Sequence, residues 1–286
     1  MLMSGCGGDE KSASPFAEFK WGFTTQNFAG HVPVSPETAK EFINYAKEQG
    51  LQWIELRDPN ASLSVEQCRE IATFAKEQGI EVNYSAQRGL LADDFWEIFG
   101  RAVGNTAVFD GLRTVRVLAL RRKDEQGWTK EEFARAVAVA NEAADRAAAQ
   151  GIRFTVENAD VALDGRGRPY YGMTELLEAT SPNVLLQLDT ANLFTGPVPV
   201  TPQQAEEFIR KYATRISYLH LKSARDGKAL PVLEGNPLDF KTILLMLADH
   251  GTQYIAIELA PGGNAKQVYV NMKAGMDDLR TEGLLY

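Results

Sequence analysis

Four short apolar runs in the second half of the chain each end in a side chain able to hold a divalent metal: Ile152–Glu157, Val184–Asp189, Ile216–His220 and Tyr254–Glu258. A strand of a closed parallel barrel is buried on both faces and therefore reads as a nearly continuous apolar run. A ligand-capable residue at the end of four such runs predicts one site assembled at one mouth of one barrel, because the chemistry of such barrels sits at the C-terminal ends of the strands.

The rest of the chain repeats the same alternation. Strands are expected at residues 19–23, 51–56, 80–84 and 114–118, followed by the four runs above. Between them lie amphipathic helices with recognisable ends. Ser35-Pro36-Glu37-Thr38 offers an N-cap with proline in the first turn, and Gly50, Gly79 and Gly151 stand where helices should stop. Further helices are expected near 64–78, 92–103, 129–150, 172–180, 202–213, 239–250 and 265–282. Eight strand-then-helix units of roughly 30 residues account for nearly the whole chain. The expected fold is α/β, a single (β/α)8 TIM barrel over residues 17–286, preceded by a flexible tether at 1–16. An open doubly wound sheet has the same alternation, but convergence of four ligands favours the closed barrel.

Charge and composition narrow the function. A net charge of −8 is poorly suited to tracking a nucleic-acid backbone, so no nucleic-acid partner is expected. Three histidines are too few for the multi-metal clusters of abasic-site nucleases. No uninterrupted apolar stretch is long enough to cross a bilayer. Of the two cysteines, Cys68 lies in a helical pattern and reads as a buried thiol. Cys6, in Met3-Ser4-Gly5-Cys6, resembles the end of a bacterial lipoprotein signal, although the charged and long apolar parts of such a signal are absent from this sequence. The expectation is a lipid anchor at Cys6 and a periplasmic or membrane-anchored protein, with the cytoplasm as the alternative. Self-association is left open.

Strand alternation places Thr155 on the face of Glu157, Gln187 on that of Asp189, Tyr218 on that of His220, and Tyr254 and Ala256 on that of Glu258. Two glutamates, an aspartate and a neutral imidazole suit one Mn²⁺, Co²⁺ or Mg²⁺ better than a thiolate-held zinc. Glu55, near the end of the second strand, either binds a substrate hydroxyl or pairs with Arg57 or Arg88. Arg88, following the third strand, is placed to reach an acidic or hydroxylated ligand.

These residues carry a family resemblance. Val156-Glu157-Asn158, Leu188-Asp189-Thr190-Ala191-Asn192, Leu219-His220-Leu221-Lys222, Ile257-Glu258 and the stretch Leu233-Glu234-Gly235-Asn236-Pro237-Leu238-Asp239-Phe240 resemble the xylose isomerase-like TIM-barrel superfamily, in particular its sugar isomerase and epimerase branch. The resemblance implies a metal site of Glu157, Asp189, His220 and Glu258. It also implies that Glu157 and Glu258 handle protons on the two faces of a sugar. Departures are visible too. Asn192 stands where such epimerases often carry a histidine, Leu233 replaces a family glycine, and Arg225 and Lys222 are the nearest counterparts of a sugar-gripping arginine.

The expected activity is a metal-dependent sugar or keto-sugar isomerase or epimerase working through an enediolate. The alternative is a metal-dependent lyase or hydratase acting on 3-keto-glycosides or related oxidised sugars. Both require a small-molecule sugar partner.

Overall fold

The structure, a computed structural model, describes residues 15–119 and 126–285. Most of the expected tether, with Cys6, lies outside the described residues. Phe16, within the expected tether, is buried against Phe19 with ring centroids 6.3 Å apart, so core packing begins there.

Eight parallel strands form the barrel wall: β1 (Lys20–Thr24), β2 (Trp53–Arg57), β3 (Glu81–Ser85), β4 (Thr114–Leu118), β5 (Arg153–Glu157), β6 (Val184–Asp189), β7 (Ile216–Leu221) and β8 (Tyr254–Ile257). They are hydrogen-bonded in the order β3-β2-β1-β8-β7-β6-β5-β4. Around them run α1 (Pro36–Glu48), α2 (Val65–Gln78), α3 (Phe95–Thr106), α4 (Lys130–Ala148), α5 (Met173–Ala179), α6 (Pro202–Tyr212), α7 (Phe240–Ala248) and α8 (Ala265–Thr281). The expected TIM barrel is the observed one.

Local chemistry explains the helix boundaries. Ser35 caps α1 by accepting from the Thr38 amide, and Ser64–Gln67, Thr129–Glu132 and Thr201–Gln204 form reciprocal capping boxes. Gly79 ends α2 in the left-handed conformation, with φ of 73°. α3 starts three residues later than its apolar pattern suggests. Asp94, its N-cap, makes no capping bond, and its carboxylate instead holds Arg88 at 3.0 Å. Cys68 is buried on α2, and burial pushes its thiol up to about 12.

The ring closes between β3 and β4 without a regular ladder. The segment after β3 reaches across: the Leu118 amide donates to the Arg88 carbonyl (2.8 Å) and the Leu90 amide to the Leu118 carbonyl (3.1 Å). Lower down, the Thr114 amide donates to Asn83 Oδ1 at 3.1 Å. Between these points Arg116 Nε donates to Ser85 Oγ at 3.0 Å. A charged side chain inside the barrel therefore bridges the seam.

The barrel interior is layered. Its floor is a separate apolar cluster of Trp53, Tyr218, Tyr254, Ala256 and Leu112, with Trp53 edge-on to both tyrosines. Gly22 makes room for this floor: a Cβ there would stand 2.2 Å from the Trp53 carbonyl oxygen. Arg153, which shares the inward face of Thr155 and Glu157, is exposed at the lower end and donates to the Leu112 carbonyl at 3.1 Å. Above the floor the interior turns polar, with Glu55, Arg116, Gln187 and His220 all at most 1% exposed. The uppermost inward positions are Arg57, Glu157, Asp189, Lys222 and Glu258.

Replacing Arg116 with methionine leaves two buried carboxylates, Glu55 and Glu157, without their shared cation. Breaking a buried ion pair from one side costs about 3–5 kcal/mol. Chemical denaturation of R116M should show a loss of that order. A loss under about 1 kcal/mol, the range of an exposed pair, would refute the bridging role.

Candidate metal and catalytic site

The parallel wall carries the ends of β5, β6, β7 and β8 to one rim. Asp189 is in register with His220, and His220 with Ala256, two residues before Glu258. Glu157, Asp189, His220 and Glu258 are all at least nine-tenths buried. One ligand atom each from Glu157, Asp189 and His220 lie within 4.8 Å of one another. Glu258 stands outside that three-residue group, but its Oε2 is 2.6 Å from His220 Nδ1.

Each of these side chains is held. Asp189 Oδ1 accepts from the Asn192 amide at 2.9 Å. Its backbone is clamped by Asn158, which accepts from the Asp189 N–H (2.8 Å) and donates to the Asp189 carbonyl (3.1 Å). Glu157 is gripped on one oxygen by Arg116 and on the other by Asn192 Nδ2 at 3.1 Å. Glu258 Oε1 accepts from Lys222 Nζ at 2.7 Å, and Lys222 also stands 3.5 Å from Asp189 Oδ2. Thr190 fixes the Lys222 backbone by accepting from its amide at 2.9 Å and donating to its carbonyl at 2.6 Å.

His220 sits between Glu258 and Glu55, whose Oε2 is 3.0 Å from Nε2. Burial alone would lower the imidazole pKa. The two carboxylates outweigh burial and raise it to about 10. Neither nitrogen is aligned for a hydrogen bond despite these short approaches. Glu258, which burial would raise, is held well below the usual carboxylate range by Lys222 and His220. Asp189 goes the other way: burial lifts it to about 6 against the pull of Lys222.

These features fit a divalent cation. Asp189 Oδ2 is buried and makes no hydrogen bond, the Lys222 ammonium standing off at 3.5 Å, so it keeps lone pairs free for an ion. Two carboxylate oxygens and an imidazole nitrogen already converge, and the donor set is mainly hard oxygen.

The other expected site residues divide. Asn192 and Lys222 belong to the cluster. Glu55 is drawn in beneath it: fully buried, it accepts from Tyr218 Oη at 2.8 Å and faces Arg116 at 3.5 Å. It pairs with neither Arg57 nor Arg88; Tyr218, Arg116 and His220 engage its carboxylate instead. Arg88 is held by Asp94 and by Asn60 Oδ1 (2.8 Å), and its carbonyl closes the β3–β4 seam. Arg225 lies exposed in a two-residue hairpin with Lys228–Ala229 and packs over Gly235, leaving no room there for a side chain. Neither arginine bonds to the cluster.

Arg116, Arg57, Asn158 and Tyr218 belong to the site or its support, and the sequence reading assigned them no role there. Arg116 carried a signal: a cation in the middle of the apolar strand Thr114-Val115-Arg116-Val117-Leu118 must find a buried anion. Arg57 carried one too, since it shares the inward face of Glu55.

The xylose isomerase-like TIM barrel family matches residues 22–274 of the chain. No curated protein matches it in sequence. Among solved structures, a xylose isomerase-like TIM barrel protein from Mycobacterium smegmatis, solved in complex with magnesium, superposes with a TM-score of 0.69 at 17% identity, covering 95% of this chain and 99% of that one. D-psicose 3-epimerase from Clostridium cellulolyticum H10, solved with D-tagatose, gives 0.65 at 14% identity, covering 94% and 100%. A sugar phosphate isomerase/epimerase from Parabacteroides distasonis gives 0.67 at 15% identity, covering 96% and 97%. At these identities the superpositions establish the shared fold alone; the match over residues 22–274 shows that the chain belongs to the xylose isomerase-like TIM barrel family.

Proposed function

We propose that the chain is a divalent-metal-dependent isomerase or epimerase of a sugar or keto-sugar, working through an enediolate. The observation that carries this reading is the buried convergence of Glu157, Asp189 and His220, with Glu258 against His220, at the C-terminal rim of the barrel. The recurrence of sugar epimerases among the structural neighbours supports it.

Glu157, Asp189, His220 and Glu258 would hold the cation, with Mn²⁺, Co²⁺ or Mg²⁺ matched to that donor set. When bound, the cation would supply charge stabilisation to the oxygens of a carbonyl and its neighbouring hydroxyl as the carbon bearing that hydroxyl loses its proton to the base. The chain's own residues do the rest. Glu157 and Glu258 end strands separated by β6 and β7. They therefore face a ligand over the barrel axis from different sides, so one can take the proton from carbon and the other can return one to the opposite face. Arg116 and Asn192 orient Glu157, and Lys222 orients Glu258. Asn192 exchanges no proton near neutral pH, so its part is to hold Asp189 and Glu157 in place.

After treatment with a chelator, calorimetric titration with Mn²⁺ should show one equivalent taken up. D189N should bind it at least about 100-fold more weakly, since losing even an outer partner of a ligand costs roughly 10–100-fold. Absence of uptake by the native protein would end the metal reading.

With Mn²⁺ and a panel of ketoses in D₂O, NMR should show solvent deuterium entering one carbon with the molecular formula otherwise unchanged. E157Q and E258Q should each lower that rate by roughly 10²–10⁴-fold. Loss or gain of water or of an aglycone from 3-keto-glycosides would move the activity to the lyase or hydratase class.

A further inference from the structure

One charged group in the uppermost interior layer has no partner for part of its surface. Arg57 lies on the inner face of β2, two residues above Glu55 and four above Trp53, and is only 5% exposed. Its backbone is fixed, the amide donating to Thr25 Oγ1 at 2.9 Å. Yet Nε and Nη2 of its guanidinium are buried with no hydrogen-bond partner. These two nitrogens share one edge of the guanidinium plane, the edge that meets both oxygens of a carboxylate in parallel.

The nearby acids do not fill that edge. Glu258, Glu157 and Glu55 all act on Arg57 through their charge. Each is already engaged: Glu258 by Lys222 and His220, Glu157 by Arg116 and Asn192, Glu55 by Tyr218, Arg116 and His220. Burial and the neighbouring Arg116 lower Arg57 to about 10, still charged at neutral pH.

The charge count points the same way. Among the described residues, Glu55, Glu157, Asp189 and Glu258 bring four negative charges to the interior, and Arg57, Arg116 and Lys222 bring three positive ones. A divalent cation beside a neutral imidazole leaves one positive charge in excess. A ligand with a single negative charge balances the site, whereas a phosphate dianion overshoots.

We propose that Arg57 is a specificity-determining residue that grips a carboxylate on the sugar, so that the substrate class is a keto-sugar acid rather than a neutral ketose. This rests on the isomerase or epimerase reading above. A carboxylate locked on this fork at the end of β2 sets the rotation of the sugar over the rim, and with it which carbon faces Glu157 and Glu258.

Calorimetry on the full chain loaded with Mn²⁺ tests it, using two matched pairs, D-tagaturonate with D-tagatose and D-fructuronate with D-fructose, and adding D-tagatose 6-phosphate. At least one keto acid should bind roughly 10- to 100-fold more tightly than its neutral partner, the range of a charge-assisted pair. In R57M that ratio should collapse towards one. R57K keeps the charge but not the fork, and should keep less than about a tenth of the ratio; it decides the matter if R57M does not fold. Equal affinities, a ratio untouched in the variants, no binding of either acid, or tighter binding of the sugar phosphate would each overturn the proposal. Deuterium exchange separates this outcome from the parent reading. An Arg57-dependent acid preference without exchange removes the isomerase and keeps the carboxylate fork, whereas exchange on neutral ketoses without acid preference does the reverse.

Discussion

The alternation of buried charge across the upper barrel is the constraint on which the rest of this structure depends. Arg116 joins Glu157 and Glu55, His220 joins Glu55 and Glu258, and Lys222 joins Glu258 and Asp189. An isolated ionised group in such a place would neutralise rather than stay charged. Here each acid has a cation beside it, so carboxylates persist in the buried upper barrel. The same pairing makes the network intolerant of partial removal, because deleting one member strands another.

The network is also asymmetric in a useful way. Glu258 is held ionised by Lys222 and His220, while Asp189, with one oxygen unbonded, is lifted to about 6 by burial. The charge deficit is thus concentrated at Asp189, beside Glu157 and His220. Below, the aromatic floor of Trp53, Tyr218 and Tyr254 shuts off the lower end of the barrel. Tyr218 connects the two layers by donating to Glu55. Stiff packing under a pre-paired polar layer holds the rim residues in place before any ligand arrives, which is what catalysis by positioned groups requires.

Much of this was legible along the chain. β4 and β6 begin and end where their apolar runs do, and the capping serines, threonines and glycines mark the helices to within a few residues. Periodicity reports burial, and burial is what a barrel strand has on both faces. The exception at α3 has a physical cause: Asp94 holds Arg88 instead of capping its own helix. Glu157, Asp189 and His220 were legible as a group because each closes an apolar run near the C-terminal end of its strand in a parallel sheet.

Partner choice was not legible in the same way. Glu55 had Arg57 two residues away and Arg88 on the next strand's loop, yet it pairs with Arg116 and His220, which arrive from β4 and β7 across the barrel. Arg88 and Arg225 were both expected to reach a ligand; Arg88 is held by Asp94, and Arg225 lies exposed over Gly235. The chain by itself determined the repeating strand-helix pattern, the faces that turn inward and the chemical types at the strand ends, because these follow from spacing and side-chain chemistry. Only the closed barrel decided which inward charges meet. Those distances are set by shear and curvature that bring residues of different strands into contact, as far apart in sequence as Glu55 and His220, and no local pattern encodes them.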